Sequence, residues 1–138
     1  MKPLLLAMIL GILITFGGSC KKSGSDNTAT LPGYWELRFV EGGYQTSNAS
    51  GSFSPGNGNI LKFKDDNYWS YSDGQARDSG QYQITKDTLT ILHPTYKTDY
   101  SFQLSNNTLT LYFGTIAADG TVSTYIRLDP SQVDPSLR

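Results

Sequence analysis

The sequence predicts an all-β domain in which eight antiparallel strands, joined up-and-down, close into a barrel with no helix after the last strand. Three observations lead there. Runs of alternating apolar and polar residues recur between short turn clusters. One hairpin is followed by a near copy of itself 20 residues on. No stretch after the N-terminal leader shows the apolar period of a helix. A sheet that is apolar on one face has to cover that face, and closure does so while removing its edges. A two-sheet sandwich is the alternative.

At 138 residues the chain suits a single domain. Its 14 Gly and nine Tyr fit strands joined by tight turns. A net charge of −1 offers no electrostatic case for a nucleic-acid partner. One Cys and one His exclude an intramolecular disulfide and a four-Cys zinc site, and leave little material for any other metal centre. No metal and no cofactor are expected, and the chain is expected to be a monomer.

Residues 1–19 read as a lipoprotein signal peptide. Lys2 supplies a positive start, and Leu4 to Phe16 is an apolar run of 13 residues. That run is short of the roughly 20 residues a permanent membrane helix needs. Gly17-Gly18-Ser19 then places small residues before Cys20, the only cysteine. An unpaired Cys in an exported chain calls for a reason, and its place at a cleavage site supplies one. The arrangement resembles a bacterial lipobox, which implies that Cys20 carries the lipid. It departs from that pattern at Gly17, where a Leu is usual, and an ordinary cleaved signal is the alternative. Residues 20–30 have no apolar period and read as the lipidated Cys and a flexible tether. The expected address is the bacterial cell envelope, anchored by lipid to the outer membrane, with the periplasmic or surface-facing side left open. The membrane is thus the first expected partner.

Strands are expected at about 33–41, 58–64, 68–73, 78–85, 88–93, 96–105, 107–115 and 121–128. In the first, Trp35, Leu37 and Phe39 alternate with Glu36 and Arg38, the period of a half-buried strand. Residues 41–59 form a long loop rich in Gly, Ser and Asn, whose Tyr44 and Phe53 could fold over an opening. Leu61 and Phe63 share a face in the second strand. The turn at Asp65-Asp66-Asn67 leaves parity open. A three-residue turn puts Trp69 and Tyr71 inside, and a two-residue turn puts Tyr68 inside. The first is preferred because it buries the Trp.

The repeat follows. Gln81-Tyr82-Gln83-Ile84 returns through Lys86-Asp87 to Thr88-Leu89-Thr90-Ile91. Its copy runs from Ser101-Phe102-Gln103-Leu104 through Asn106-Asn107 to Thr108-Leu109-Thr110-Leu111. Each is a hairpin with a two-residue tip, with its apolar residues on one face and its Thr residues on the other. Val122 to Leu128 is the closing strand. Residues 129–138, with Asp-Pro-Ser twice, are expected to be a disordered tail.

Gly33-Tyr34-Trp35 at the head of the first strand resembles the Gly-x-Trp signature of lipocalins. Arg127, within Tyr125-Ile126-Arg127-Leu128, resembles the arginine of that family's last strand. The similarity, to small bacterial lipocalin-like lipoproteins in particular, covers residues 31–128. It implies an eight-stranded cup whose floor is closed by Arg127 over Trp35, with Gly33 as part of the structural signature. It also implies a large first loop that partly covers the mouth. The missing helix after the last strand is a departure from the family.

The function expected is binding of a small apolar or amphipathic molecule in or at the mouth of the barrel. Candidate pocket residues are Tyr44, Phe53, Trp69, Tyr71, Tyr82, His93, Tyr100 and Phe102. The alternative is a filled barrel that acts in the envelope as a protein-interaction or inhibitor module. A cavity below about 300 Å³ would favour it. No catalytic constellation is visible and no enzyme is expected. His93 lacks a sequence-evident partner, and the Asp residues fall at hairpin ends, where turn chemistry accounts for them. Asp87-Thr88-Leu89 resembles a bacterial O-glycosylation acceptor, but a three-residue match is weak and the hairpin tip is the favoured explanation.

Overall fold

The computed structural model describes residues 30–42, 51–114 and 120–138. The leader, Cys20, most of the tether and Tyr44 lie outside the described residues. The strands are β1 (Gly33–Gly42), β2 (Gly51–Ser52), β3 (Ile60–Lys64), β4 (Asn67–Ser72) and β5 (Gln75–Thr85), then β6 (Thr88–Leu92), β7 (Lys97–Leu104), β8 (Thr108–Phe113) and β9 (Thr121–Leu128). All pairings are antiparallel between neighbours, and β1 also pairs with β9, which closes the ring. β3 takes residues 33–36 of β1 and the two-residue β2 takes Phe39 and Val40 further along. β2 and β3 thus occupy one place, and the barrel is eight-stranded, as expected, with no helix of any length beyond two short 3-10 turns among the described residues.

One end of the barrel is packed shut. Trp35 lies in register with Arg127, and the guanidinium carbon stands 4.2 Å from the indole ring centroid, a cation–π arrangement. Trp35 Nε1 donates to the Leu31 carbonyl at 2.8 Å. Arg127 Nη1 donates to Pro32 O at 2.9 Å, Nε to Asn106 O at 3.0 Å, and Nη2 to Thr30 O. Gly33 makes this possible: its φ is +140°, and a Cβ there would sit 2.7 Å from Arg127 Nη1. Leu31, Leu89 and Leu109, all buried, complete the floor. The two hairpin copies pair as read, Tyr82 with Ile91 and Phe102 with Leu111.

Three expectations are corrected. The β3–β4 turn has two residues, because Asp65 adopts a positive φ of 52° and Lys64 pairs with Asn67. Tyr68 is therefore inside, opposite Phe63 and Gly80, and Trp69 and Tyr71 face out. Gly80 leaves room for the Tyr68 ring, whose Cε1 would lie 3.1 Å from an added Cβ. Trp69 is still half-covered: Lys62 Nζ stands 5.2 Å from its ring and 5.3 Å from that of Tyr34.

Phe39 does not point inward either. A bulge between Leu37 and Phe39 reverses the alternation, leaving Phe39 39% exposed and paired with Ser52 and Thr124. An extra residue in one strand has this effect on every side chain after it.

The tail is the third correction. Residues 129–138 form two 3-10 turns, Pro130–Gln132 and Pro135–Leu137. Each Asp-Pro-Ser supplies a cap: the Asp carboxylate accepts from the backbone N–H and the hydroxyl of the Ser two positions on. Pro fits the first position of such a turn because its φ is preset. The turns bury Val133 and Leu137 on the outer wall against Ile60, Tyr34, Tyr71 and Leu128. Lys62 Nζ donates to Leu137 O at 3.1 Å.

The stretch from Ser52 to Asn59 is held to the outer face of β1. Glu36 is buried there, accepting from the backbone N–H of Gly56 at 2.8 Å and of Asn57 at 3.0 Å, and pairing with Arg38 at 2.7 Å. Asn57 Nδ2 donates to Leu37 O at 2.8 Å.

Candidate ligand-binding site

The end opposite the floor opens into a cavity of about 450 Å³. His93 after β6, Thr98 early in β7 and Thr121 at the start of β9 stand on its lining. Alternation dictates its lining. Inward residues toward the floor are apolar, among them Phe63, Leu89, Ile91 and Leu111. Toward the open end the inward positions become polar: Ser70 and Asp78 in the β4–β5 hairpin, His93 after β6, Thr98 early in β7, and Thr121 at the start of β9. The result is a cup with a greasy base and a hydrogen-bonding rim.

Asp78 organises one side of that rim. Its Oδ2 accepts from the Tyr68 hydroxyl and lies 3.4 Å from His93 Nδ1, while Oδ1 accepts from the Ser79 N–H at 2.9 Å. His93 is pinned further by stacking on Tyr96, with centroids 4.0 Å apart and planes 19° from parallel. The loop turns tightly because His93 N–H donates to Tyr96 O at 2.9 Å. Burial, and then the bond to Asp78, raise the Tyr68 phenol well above its ordinary pKa.

Across the cavity Tyr100 leans on Phe113, with centroids 5.6 Å apart. Burial pushes the Tyr125 phenol up to about 12, with the Tyr100 phenol adding to the rise and Ser123 opposing it. Tyr100 itself is raised by burial first and by Tyr96 and Asp78 after that. These phenols stay neutral near pH 7 and present O–H groups to whatever fills the cup.

Of the residues expected at a pocket, His93 and Tyr100 line the cavity. Tyr82 and Phe102 face inward but belong to the core below it, Tyr82 edge-on to Phe63 at 5.1 Å. Trp69 and Tyr71 are outside, and Tyr71 lies under the tail. Phe53 does not line the cavity. Asp78 and Tyr125 were not anticipated, and Tyr68 entered only as the inward residue of the two-residue turn. A signal for Asp78 existed: Tyr82, Gly80 and Asp78 alternate on one face of β5, so carrying the parity of Tyr82 backwards leads to it.

Among the described residues no three His, Cys, Asp or Glu side chains gather as a metal site. No Ser or Thr hydroxyl among them is hydrogen-bonded to His93, as a nucleophile–base pair would require. No family model, curated protein or solved structure matches this chain.

Proposed function

We propose that this chain is a lipid-anchored, lipocalin-like lipoprotein of the bacterial cell envelope that binds a small amphipathic molecule at the mouth of its barrel, without catalysing a reaction. The observation that carries the binding role is the cavity. At about 450 Å³ it exceeds the roughly 300 Å³ at which small-molecule sites begin, and its apolar base and polar rim suit a molecule with a tail and a head. The lipocalin-like character rests on Gly33, Trp35 and Arg127 acting together at the floor. The anchor rests on Cys20 at the end of the leader.

Residues 21–138 contain every described strand and every described core residue. Native mass spectrometry of that chain, after exposure to an envelope lipid extract, should show a retained adduct of low mass. A chain that retains nothing from any extract speaks against carriage of a small molecule. The anchor is tested separately: Cys20→Ser in the full chain should move it from the detergent phase to the aqueous phase on partitioning, and unchanged membrane retention would refute lipidation.

A further inference from the structure

We propose that the mouth selects amphiphiles with a cationic head, alkylamines or arylalkylamines, over carboxylates of the same tail, and that Asp78 is the counter-ion. This rests on the binding role proposed above and names the ligand class for the same site.

The charge on the wall is one-sided. Among the described residues, and apart from the neutral phenols, Asp78 and His93 are the ionisable groups lining the cavity, and no Lys or Arg does so. Two cations belong to the same end of the barrel, but neither lines the cup. Arg77 is exposed beside the bulge of β5, and Lys97 is exposed and paired with Asp99 at 3.3 Å. The sequences of residues 43–50 and 115–119 contain no Lys, Arg or His and a single Asp.

Asp78 has capacity left. A carboxylate offers about four lone-pair positions, and the described partners are the Ser79 N–H, the Tyr68 hydroxyl and His93. The first two are neutral donors, and His93 offsets the carboxylate charge only when it is itself protonated. Its side chain is 45% exposed although it stands on an inward position and lines the cavity. An ammonium entering there gains a charge-assisted hydrogen bond. Tyr68, Tyr100 and Phe113 also line the cavity, and aromatic ring faces attract cations. A carboxylate head would meet Asp78 as a like charge.

The probes are octylamine, 1-octanol and octanoate, which share one tail and differ in head. Calorimetric titration of residues 21–138 at pH 8 should give binding in that order, with octylamine at least about tenfold tighter than octanol, the scale of one hydrogen bond to a charged group. Asp78→Asn keeps an acceptor for Tyr68 and should erase the advantage of the amine over octanol. Octanoate binding as tightly as octylamine would overturn the proposal even if the variant fails to fold. An amine advantage that survives Asp78→Asn in a folded variant would overturn it too. Octanol binding with no gain for the amine removes the cationic preference alone. Failure of all three probes to bind removes the binding role as well.

Discussion

At the floor of the barrel Arg127 gives its guanidinium donors to the carbonyls of Thr30, Pro32 and Asn106 and lays its charge on Trp35. At the mouth Asp78 takes neutral donors from Tyr68 and Ser79 and keeps nearly half its side chain exposed. Both are charged groups on inward-facing positions of the same sheet. The floor group is satisfied by the protein itself, so its effect is to hold strands together. The mouth group has bonding capacity that the protein leaves unused, which is the condition for recognising something else. Substitutions should divide along the same line: stability is lost at the floor, and specificity at the mouth.

The largest effect is expected at Trp35, which is wholly buried. Trp35→Ala removes the indole, its bond to Leu31 and the surface under Arg127, and should cost about 3–5 kcal/mol. Chemical denaturation measures this, and a curve close to that of the unaltered protein would contradict the placement. Next is the outer wall. Leu137→Ala should cost about 2 kcal/mol, the low end for a buried Leu because the cluster it joins is small. A change near zero would mean that the tail does not contribute to the fold. Gly33→Ala comes third, at about 1–2 kcal/mol, since the added Cβ meets Arg127 Nη1 and the φ of +140° disfavours any side chain. It should leave octanol binding unchanged, and weakened binding would show that floor and mouth are coupled.

The smallest effect is a pH dependence. Tyr125 is pushed up to about 12, and Tyr71, Tyr82 and Tyr100 are raised as well, burial being the first cause for each. Because the folded-state pKa lies above the unfolded value near 10, the folded state holds protons that the unfolded chain has released. The stabilising contribution is therefore whole below pH 10 and is lost as pH rises through about 12. Phenolate absorbance should show only part of the nine tyrosines titrating near the ordinary value in the folded protein. If all titrate together there, the buried ring of phenols is absent.

The floor was legible because strong local patterns specify it. Trp35 heads an alternating run, Arg127 sits in the last one, and the tandem hairpins announce their own pairing through tip and apolar face. Legibility failed wherever one residue of register decides the answer. Asp65 takes a left-handed conformation without being Gly, which shortened a turn and exchanged Tyr68 for Trp69. The bulge before Phe39 turned that ring out of the barrel. Asp78 read as hairpin-end chemistry because it stands first in the expected strand 78–85, whereas β5 runs on past it through a bulge to Gln75. The tail was misread for another reason: two short capped turns bury only Val133 and Leu137, too sparse a pattern to stand out in sequence.

The division between closed floor and receptive mouth is tested most directly by residue-resolved amide shifts in the isotope-labelled chain, residues 21–138, titrated with 1-octanol. The shifts should concentrate at Ser70, Thr98, Thr121 and Ser123, which line the cavity, and leave Leu31, Gly33 and Asn106 at the floor unmoved. Shifts confined to the outer wall around Tyr34 and Trp69, or none at saturating octanol, would contradict it.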